Sequence, residues 1–78
     1  MFDRRSLQGA VDAGFNYAVS SYEAGDWVTT MNILRFLSIL APTDAGIWRA
    51  LARCHEDLGE EGIAEYLRRV GCLVEVAS

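Results

Sequence analysis

Lysine is absent from this chain, and cysteine, proline and histidine are scarce. Among 78 residues there are two cysteines, one proline and one histidine, and all seven basic residues are arginines that do not form one stripe. With eleven acidic residues, the formal net charge is −4. A nucleic-acid-binding domain usually has a basic patch, and a protein that lies on a membrane surface usually has a basic amphipathic helix. We therefore expect no nucleic acid and no membrane surface as a partner.

The sequence also lacks a long apolar run. The most apolar stretch, residues 33–41, contains Arg35 and is far shorter than the roughly 20 residues that a membrane-spanning helix needs. No apolar segment follows the two arginines near the start, so we expect no signal peptide there. We expect a cytoplasmic protein without membrane insertion.

No combination of reactive side chains indicates catalysis. His55 follows Cys54, but this pair lacks a third group to orient a catalytic base, so we predict a partly buried, hydrogen-bonded histidine. Cys54 and Cys72 have no metal-ligand spacing, and in a reducing compartment we predict two buried apolar side chains rather than a disulfide or a ligand pair. Paired carboxylates and a glycine-rich phosphate loop are missing too. We predict no enzymatic activity, no metal and no cofactor.

Hydrophobic residues, in contrast, are abundant. They make up 51% of the chain, too much for a disordered protein. A chain of this length holds one domain, which we place at residues 1–78. Domains this small bury only about 60–65% of their unfolded surface, and many need a partner chain for stability. We therefore expect a homo- or hetero-oligomer.

Four helical patterns follow one another along the chain. We predict an all-α fold of two stacked antiparallel helical hairpins, with helices at about 7–24, 27–41, 44–58 and 60–75. Ser6, Asp26 and either Thr43 or Asp44 are the predicted N-caps, because their side chains can accept hydrogen bonds from free N–H groups of the first turn.

Apolar residues at helical spacing predict which side of each helix is buried. The stripes are Leu7, Val11, Gly14, Ala18 and Ser21 in the first helix; Met31, Leu34 and Leu37, with a second stripe of Ile33, Phe36, Ile39 and Leu40, in the second; Ile47, Leu51, Cys54 and Leu58 in the third; and Ile63, Leu67, Val70 and Val74 in the fourth. Because the second helix is apolar nearly all round, we predict that it is buried on more than one side, against its own hairpin and against the next hairpin or a partner.

Two similar glycine turns occur in the chain, at positions 25–27 (GDW) and 59–61 (GEE). Gly25 and Gly59 are predicted to end the first and third helices in the left-handed conformation. Aligning positions 11–44 with 45–78 superposes the glycines and most apolar positions without a gap, although two unrelated hairpins could match as well by accident. A helical hairpin with a period of about 34 residues is typical of the tetratricopeptide repeat, so we interpret the chain as two such repeats. These repeats bind other polypeptides, which favours binding over catalysis.

The sequence from about residue 15 to residue 59 resembles the tetratricopeptide chaperones of bacterial type III secretion systems. The resemblance rests on residues 22–27 (YEAGDW), 33–44 (ILRFLSILAPTD) and 48–59 (WRALARCHEDLG). It implies a cytoplasmic chaperone that binds and masks apolar segments of a needle, translocator or export-apparatus subunit before export. A second small chaperone is a further candidate partner. The alternative is a small tetratricopeptide adaptor or a self-associating scaffold module outside secretion.

The chain departs from the translocator chaperones in length and in the fourth helix. It has room for two repeats where those chaperones have three, which favours the shorter chaperones of needle or export-apparatus subunits. Glu61 stands where an aromatic residue is usual, and Arg68 stands where a large apolar residue is expected. We therefore predict that the second hairpin packs at a different angle. With no polar capping helix after the second repeat, we also predict an incomplete array with spare apolar surface.

The resemblance implies a binding groove on the first helix of each hairpin. The implied partner-binding residues are Phe15, Val19, Tyr22, Arg49, Arg53 and Glu56, and the same transfer places Asp12, Glu23, Gly46 and Asp57 along the groove. The first three form a second apolar stripe, which predicts a groove for an apolar peptide segment. The alternative is that the N-terminal residues or the fourth helix cover this stripe. The two arginines would hold carboxylates or carbonyls of the partner, unless they only pair with neighbouring acidic residues on a solvated face.

Overall fold

The computed structural model describes residues 4–77, which are folded into four helices without strands. The helices are α1 (Arg4–Glu23), α2 (Trp27–Leu40), α3 (Ala45–Asp57) and α4 (Glu61–Ala77). α1 packs on α2 and α3 packs on α4, each pair joined by a short turn, while α2 packs on α3 and so stacks the two hairpins. The predicted all-α arrangement of helical hairpins is confirmed.

The turns that close the two hairpins have the same backbone geometry. Gly25 and Gly59 both have φ of +79°, in the left-handed region that glycine adopts without steric cost. At the end of α1 the N–H of Gly25 donates to Tyr22 O at 3.0 Å, and the N–H of Asp26 donates to Ser21 O at 2.9 Å. The corresponding bonds at the end of α3 are 3.0 and 2.8 Å long. Both helices thus end in a Schellman motif, as the glycines predicted.

Aspartates cap α2 and α3. Asp26 Oδ1 accepts the N–H of Thr29 at 3.1 Å, and Asp44 Oδ1 accepts the N–H of Gly46 at 3.0 Å. The hydrogen bonds from Thr29 lower the pKa of the Asp26 carboxyl. The predicted cap at Ser6 is wrong, since α1 already begins at Arg4 and the serine lies within the helix. Arginine is a good helix former, so the helix continues past a residue that favours caps.

The core lies where α1, α2 and α3 meet. The largest fully buried side chains are those of Leu34, Ile47, Val11, Thr30 and Cys54. Thr30 is the polar member of this set, and its hydroxyl donates to the carbonyl of Asp26 at 2.8 Å. Its burial therefore leaves no hydrogen-bonding group unsatisfied.

Several side chains that the apolar stripes predicted to be buried are exposed. Phe36 and Ile39 on α2, Leu58 after α3 and Ile63 on α4 are exposed. Cys72, which was predicted to be a buried apolar side chain, is exposed as well. α2 packs against α1 and α3, and Phe36 and Ile39 remain 60% and 75% exposed. In α4 the buried positions are Ala64, Leu67 and Gly71, which begin one residue after the predicted stripe.

Small residues explain the rotation of α4 relative to the prediction. A Cβ atom at Gly71 would lie 3.5 Å from Trp48 Cβ, so the helix backbone comes close to α3 at this point. Ala64, two turns before Gly71, is completely buried. Close packing of two helices favours small residues at the contact, and this outweighs the larger hydrophobicity of Ile63.

Candidate functional site

An apolar recess of about 150 Å³ lies between α1, α2 and α3. Its lining residues are Phe15, Ala18, Val19, Tyr22, Thr30, Leu34, Ala50, Arg53 and Cys54. No residue of α4 lines it, so the fourth helix does not cover the second stripe of α1. The other predicted cover, the N-terminal end of the chain, falls partly on residues 1–3, which lie outside the described residues.

Each of the three helices contributes a different part of the recess. Phe15, Val19 and Tyr22 are spaced i, i+4 and i+7, which places them on one side of α1. α2 supplies the buried floor through Thr30 and Leu34. α3 supplies the opposite wall, where its small Ala50 side chain leaves room between the helices. Val19 remains 42% exposed, so an apolar side chain of the wall is open to solvent.

Tyr22 closes one end of the recess and joins α1 to α3. Its hydroxyl donates to Asp57 Oδ2, and Asp57 also pairs with Arg53 Nε at 3.4 Å. The hydrogen bond to Asp57 raises the pKa of Tyr22, while the charge of Arg53 acts in the opposite direction. The ring of Tyr22 packs edge-on against Trp27, with 4.8 Å between the ring centroids. The contacts with Asp57 and Trp27 therefore fix the Tyr22 side chain at the wall of the recess.

The other end of the recess is polar. Beyond Phe15 the space between α1 and α3 continues into a hollow lined by Val11, Asp12, Phe15, Asn16, Asp44 and Gly46. Asp12 accepts a hydrogen bond from Gln8 at 3.0 Å, and Asp44 caps α3. A groove between the first helices of the hairpins therefore runs from two carboxylates, across the apolar recess, to the guanidinium of Arg53.

The six residues implied as partner-binding do not all lie together. The structure brings Phe15, Val19, Tyr22 and Arg53 to the recess. The other two, Arg49 and Glu56, lie in a separate hollow between α3 and α4, which Arg53 also lines. Four charged residues line this second hollow, whereas Arg53 is the one charged residue that lines the recess.

Both arginines of α3 form ion pairs within the chain. The alternative interpretation expected neighbouring acidic residues of α3 as the partners, and this holds for one of the two. Arg53 pairs with Asp57, as that interpretation has it. Arg49 pairs with Glu75 of α4, and Glu56 pairs with Arg68 of α4. Sequence spacing along one helix predicts i,i+4 pairs, but the facing helix supplies the partners of these two residues.

The charged hollow corresponds to the recess in the repeat. The alignment of the two hairpins matches Phe15, Val19, Tyr22 and Leu34 with Arg49, Arg53, Glu56 and Arg68, in that order. The apolar set lies where the second hairpin packs on the first, while the charged set lies where a third hairpin would pack. Burying these ion pairs against another hairpin would carry a desolvation cost. The predicted spare apolar surface is present on α1 and α2, where Val19, Val28, Phe36 and Ile39 are exposed.

His55 and Cys54 behave as structural residues. His55 is buried and its Nδ1 lies 2.9 Å from Glu60 Oε1, which confirms the predicted hydrogen-bonded histidine. Burial raises the pKa of the Cys54 thiol, and the nearby charge of Asp57 acts in the same direction. The thiol is therefore poorly suited to act as a thiolate nucleophile.

Five lining residues were not predicted as part of a binding groove: Ala18, Thr30, Leu34, Ala50 and Cys54. Three of them, Ala18, Leu34 and Cys54, belong to predicted core stripes, and nothing in their spacing shows that one side of each borders an open space. Ala50 and Thr30 lie in no stripe, and Thr30 is one of several polar residues of α2.

Within residues 4–77, no helix combines the length and hydrophobicity needed to cross a membrane. The same part of the chain contains no group of three or more histidine, cysteine or acidic side chains that could hold a metal ion. Comparison with known proteins identifies no matching protein family, no similar curated protein and no similar solved structure.

Proposed function

We propose that this protein binds and covers an apolar segment of a partner protein in the recess between α1, α2 and α3. The observation that carries the proposal is the apolar lining of this recess, which no described residue of the chain fills. Protein-binding grooves combine apolar pockets with a few polar groups that set orientation, and the groove has both.

The charges at the two ends of the groove indicate how a bound segment would be oriented. Asp12 and Asp44 lie beyond one end of the recess, while at the other end the charge of Arg53 is paired with Asp57. A segment with a basic residue at the carboxylate end, followed by a few apolar residues, would match this order. From Val11 to Tyr22, α1 is about 17 Å long at about 1.5 Å per residue. This length corresponds to about five extended residues or about three turns of a helix.

The resemblance to type III secretion chaperones suggests what the partner is. We propose a needle, translocator or export-apparatus subunit, which the chain would hold in the cytoplasm before export. The mechanism is steric: covering the apolar segment prevents premature assembly and aggregation of the partner. Neither a cofactor nor catalysis is required.

A self-associating module outside secretion is the second candidate, favoured by the exposed Phe36 and Ile39 on α2. The two functions predict different stability. A chaperone should be stabilised when its partner binds, by an amount that grows with partner concentration. A self-associating module should gain no stability from a partner protein, and only its own concentration should shift its melting midpoint.

Binding in the recess is tested by Val19→Glu. Val19 is 42% exposed, so a carboxylate there should leave the helices intact while placing charge in the apolar wall. The matched control is Ile63→Glu, since Ile63 is 46% exposed and lies outside the recess. After the partner is identified by co-purification from the native cell, calorimetric titration should show at least tenfold weaker binding for Val19→Glu and unchanged binding for Ile63→Glu. Equal affinities of both variants and the wild type would reject the recess as the site.

The identity of the co-purified partner tests the secretion assignment separately. A subunit or substrate of a type III secretion apparatus is the expected result. A partner unrelated to secretion, bound with the same sensitivity to Val19→Glu, would overturn that assignment and leave the recess as a protein-binding site.

A further inference from the structure

α2 has an exposed face on the side opposite the recess. We define the outer face of α2 as Val28, Asn32, Arg35, Phe36 and Ile39, all of which are exposed. The three apolar members are 72%, 60% and 75% exposed, in chain order. Apolar residues of this size in one row on a helix indicate a surface that another molecule covers.

The charges of the chain indicate which molecule this is. Residues 27–43 contain no aspartate or glutamate, and Arg35 is their only charged residue. The other three helices carry acidic side chains together with two arginines each, and each chain has a net charge of −4. Two copies that meet through α1, α3 or α4 avoid repulsion between carboxylates only where an arginine of one copy lies opposite each carboxylate of the other. The outer face of α2 is the helix surface on which two such chains meet without that repulsion.

We propose that the outer face of α2 binds the same face of a second copy, in an antiparallel arrangement with two-fold symmetry. An interface of this kind is self-complementary, because each contact occurs twice. The proposal does not depend on the partner of the recess, which lies on the other side of α2.

The spacing of the outer face favours the antiparallel arrangement. Val28, Asn32, Arg35 and Ile39 follow each other in the alternating four–three–four pattern of a coiled-coil seam. These spacings read the same from either end of the helix, so two antiparallel copies can align all four positions. Val28 then packs against Ile39 of the second copy, and the side-chain oxygen of Asn32 can accept a hydrogen bond from Arg35 of the second copy. A parallel pair would instead place the two Arg35 side chains against each other.

The same register gives Phe36 a partner. Phe36 flanks the seam, and two-fold symmetry brings the same flank of the second copy against it, so Phe36 lies beside Phe36 of the second copy. Offset or edge-on contacts between two aromatic rings are favourable. Every large apolar side chain of the outer face thus meets an apolar side chain.

The size of the face indicates a weak dimer. Its three exposed apolar side chains offer roughly 350 Å² per copy, and the flanking polar residues raise the total for both copies to about 1,000 Å². This area lies at the low end of the range that specific protein–protein interfaces bury. We expect a dissociation constant of about 10–100 μM, so that concentration decides between monomer and dimer.

A pair of matched variants tests the interface. Ile39 and Leu73 occupy equivalent positions of the two hairpins, on α2 and α4, and they are 75% and 71% exposed. Ile39→Asp and Leu73→Asp therefore add the same charge at equally exposed positions. In sedimentation velocity runs from about 5 to 500 μM, the wild type and Leu73→Asp should shift from monomer to dimer. Ile39→Asp should remain monomeric, with circular dichroism showing unchanged helicity.

Other outcomes of these runs overturn the proposal. A wild type that stays monomeric throughout, or an Ile39→Asp variant that dimerises like the wild type, excludes the α2 interface. Loss of the dimer in Leu73→Asp alone would assign self-association to α4. Val19→Glu should dimerise normally, which separates this interface from the recess.

Disulfide cross-linking tests the direction of the helices. In a Cys72→Ser background, the antiparallel arrangement brings residue 28 of one copy next to residue 39 of the other. A mixture of Val28→Cys and Ile39→Cys proteins should form a mixed disulfide under mild oxidation, while each variant alone should not. Rapid cross-linking of each variant with itself would indicate parallel helices and overturn the proposed register.

Discussion

The hydroxyl of Tyr22 donates a hydrogen bond to the carboxylate of Asp57, 35 residues later in the chain. This bond joins the C-terminal end of α1 to the C-terminal end of α3. Because α1 and α3 carry the two walls of the recess, the bond also fixes the distance between the walls at that end. The recess therefore depends on a contact between the two hairpins.

The Tyr22–Asp57 bond should make the protein sensitive to alkaline conditions. The hydrogen bond raises the pKa of Tyr22 above the ordinary value of 10.0. A group whose pKa is raised in the folded state stabilises the protein below its unfolded pKa, and this contribution is lost as the pH rises through the folded pKa. We expect the melting temperature to fall as the pH rises above about 10.

Tyr22→Phe tests this link and keeps the ring against Trp27. The variant should melt at a lower temperature than the wild type at about pH 7, and the gap should narrow above about pH 10. Tyr66→Phe is the control, because Tyr66 is 67% exposed on α4. A gap of constant size across this pH range would show that the hydroxyl of Tyr22 does not carry the alkaline effect.

Two glycines of α1 should respond differently to alanine. Nothing lies within 4 Å of a Cβ atom at Gly9, whereas a Cβ atom at Gly14 would lie 3.0 Å from Leu37 Cδ2. Gly9→Ala should stabilise the protein by about 0.5–1 kcal/mol, because alanine loses less backbone entropy in a helix. Gly14→Ala should give a free energy of unfolding about 1 kcal/mol or more below that of Gly9→Ala, because Leu37 is buried and must move.

Urea unfolding of both variants measures this difference. Equal stabilisation by the two substitutions would mean that α1 and α2 can separate at Gly14 without cost. The result would then contradict the close approach of these helices.

Core and surface leucines provide a test of the stacking of the hairpins. Leu34 is 2% exposed at the junction of α1, α2 and α3, whereas Leu73 is 71% exposed on α4. Leu34→Ala should destabilise the protein by about 2–5 kcal/mol through lost burial and a new cavity. Leu73→Ala should change the free energy of unfolding by about 0.5 kcal/mol or less. Denaturant unfolding that gives similar losses for both would contradict this core.

The two cysteines should differ in reactivity. Cys54 is buried with a raised pKa, and Cys72 is exposed. Since the thiolate is the reactive form, an alkylating reagent at about pH 8 should label Cys72 in the folded protein and Cys54 only in denaturant. Mass spectrometry of the labelled peptides shows which cysteine reacts first. The control is Cys72→Ser, which should take up no label while it is folded. Equal labelling rates in the folded protein would place Cys54 at the surface.

Features that depend on neighbours in sequence were predictable. Gly25 and Gly59 end their helices because a left-handed residue completes hydrogen bonds with the preceding turn. Asp26 and Asp44 cap their helices through N–H groups within the first turn. The predicted cap at Ser6 was wrong because a helix can extend past a capping residue, and the arginines before Ser6 favour the helix.

The candidate site was only partly predictable. The i, i+4, i+7 spacing of Phe15, Val19 and Tyr22 was enough to place them on one side of α1. Spacing does not say which helix faces that side, so the roles of Leu34 and Ala50 became clear only from the packing. The same holds for Arg49 and Glu56, whose partners lie on α4.

The sequence was enough to predict the four helices, the two glycine turns and the aspartate caps of α2 and α3, because these follow from local hydrogen bonds and periodicity. Only the tertiary structure decided which apolar stripes are buried. Ile63 and Ile39 are as hydrophobic as any core residue, yet burial requires a second surface at the right distance. The small residues Ala64 and Gly71 rotate α4 away from Ile63, and Ile39 remains 75% exposed within the described chain.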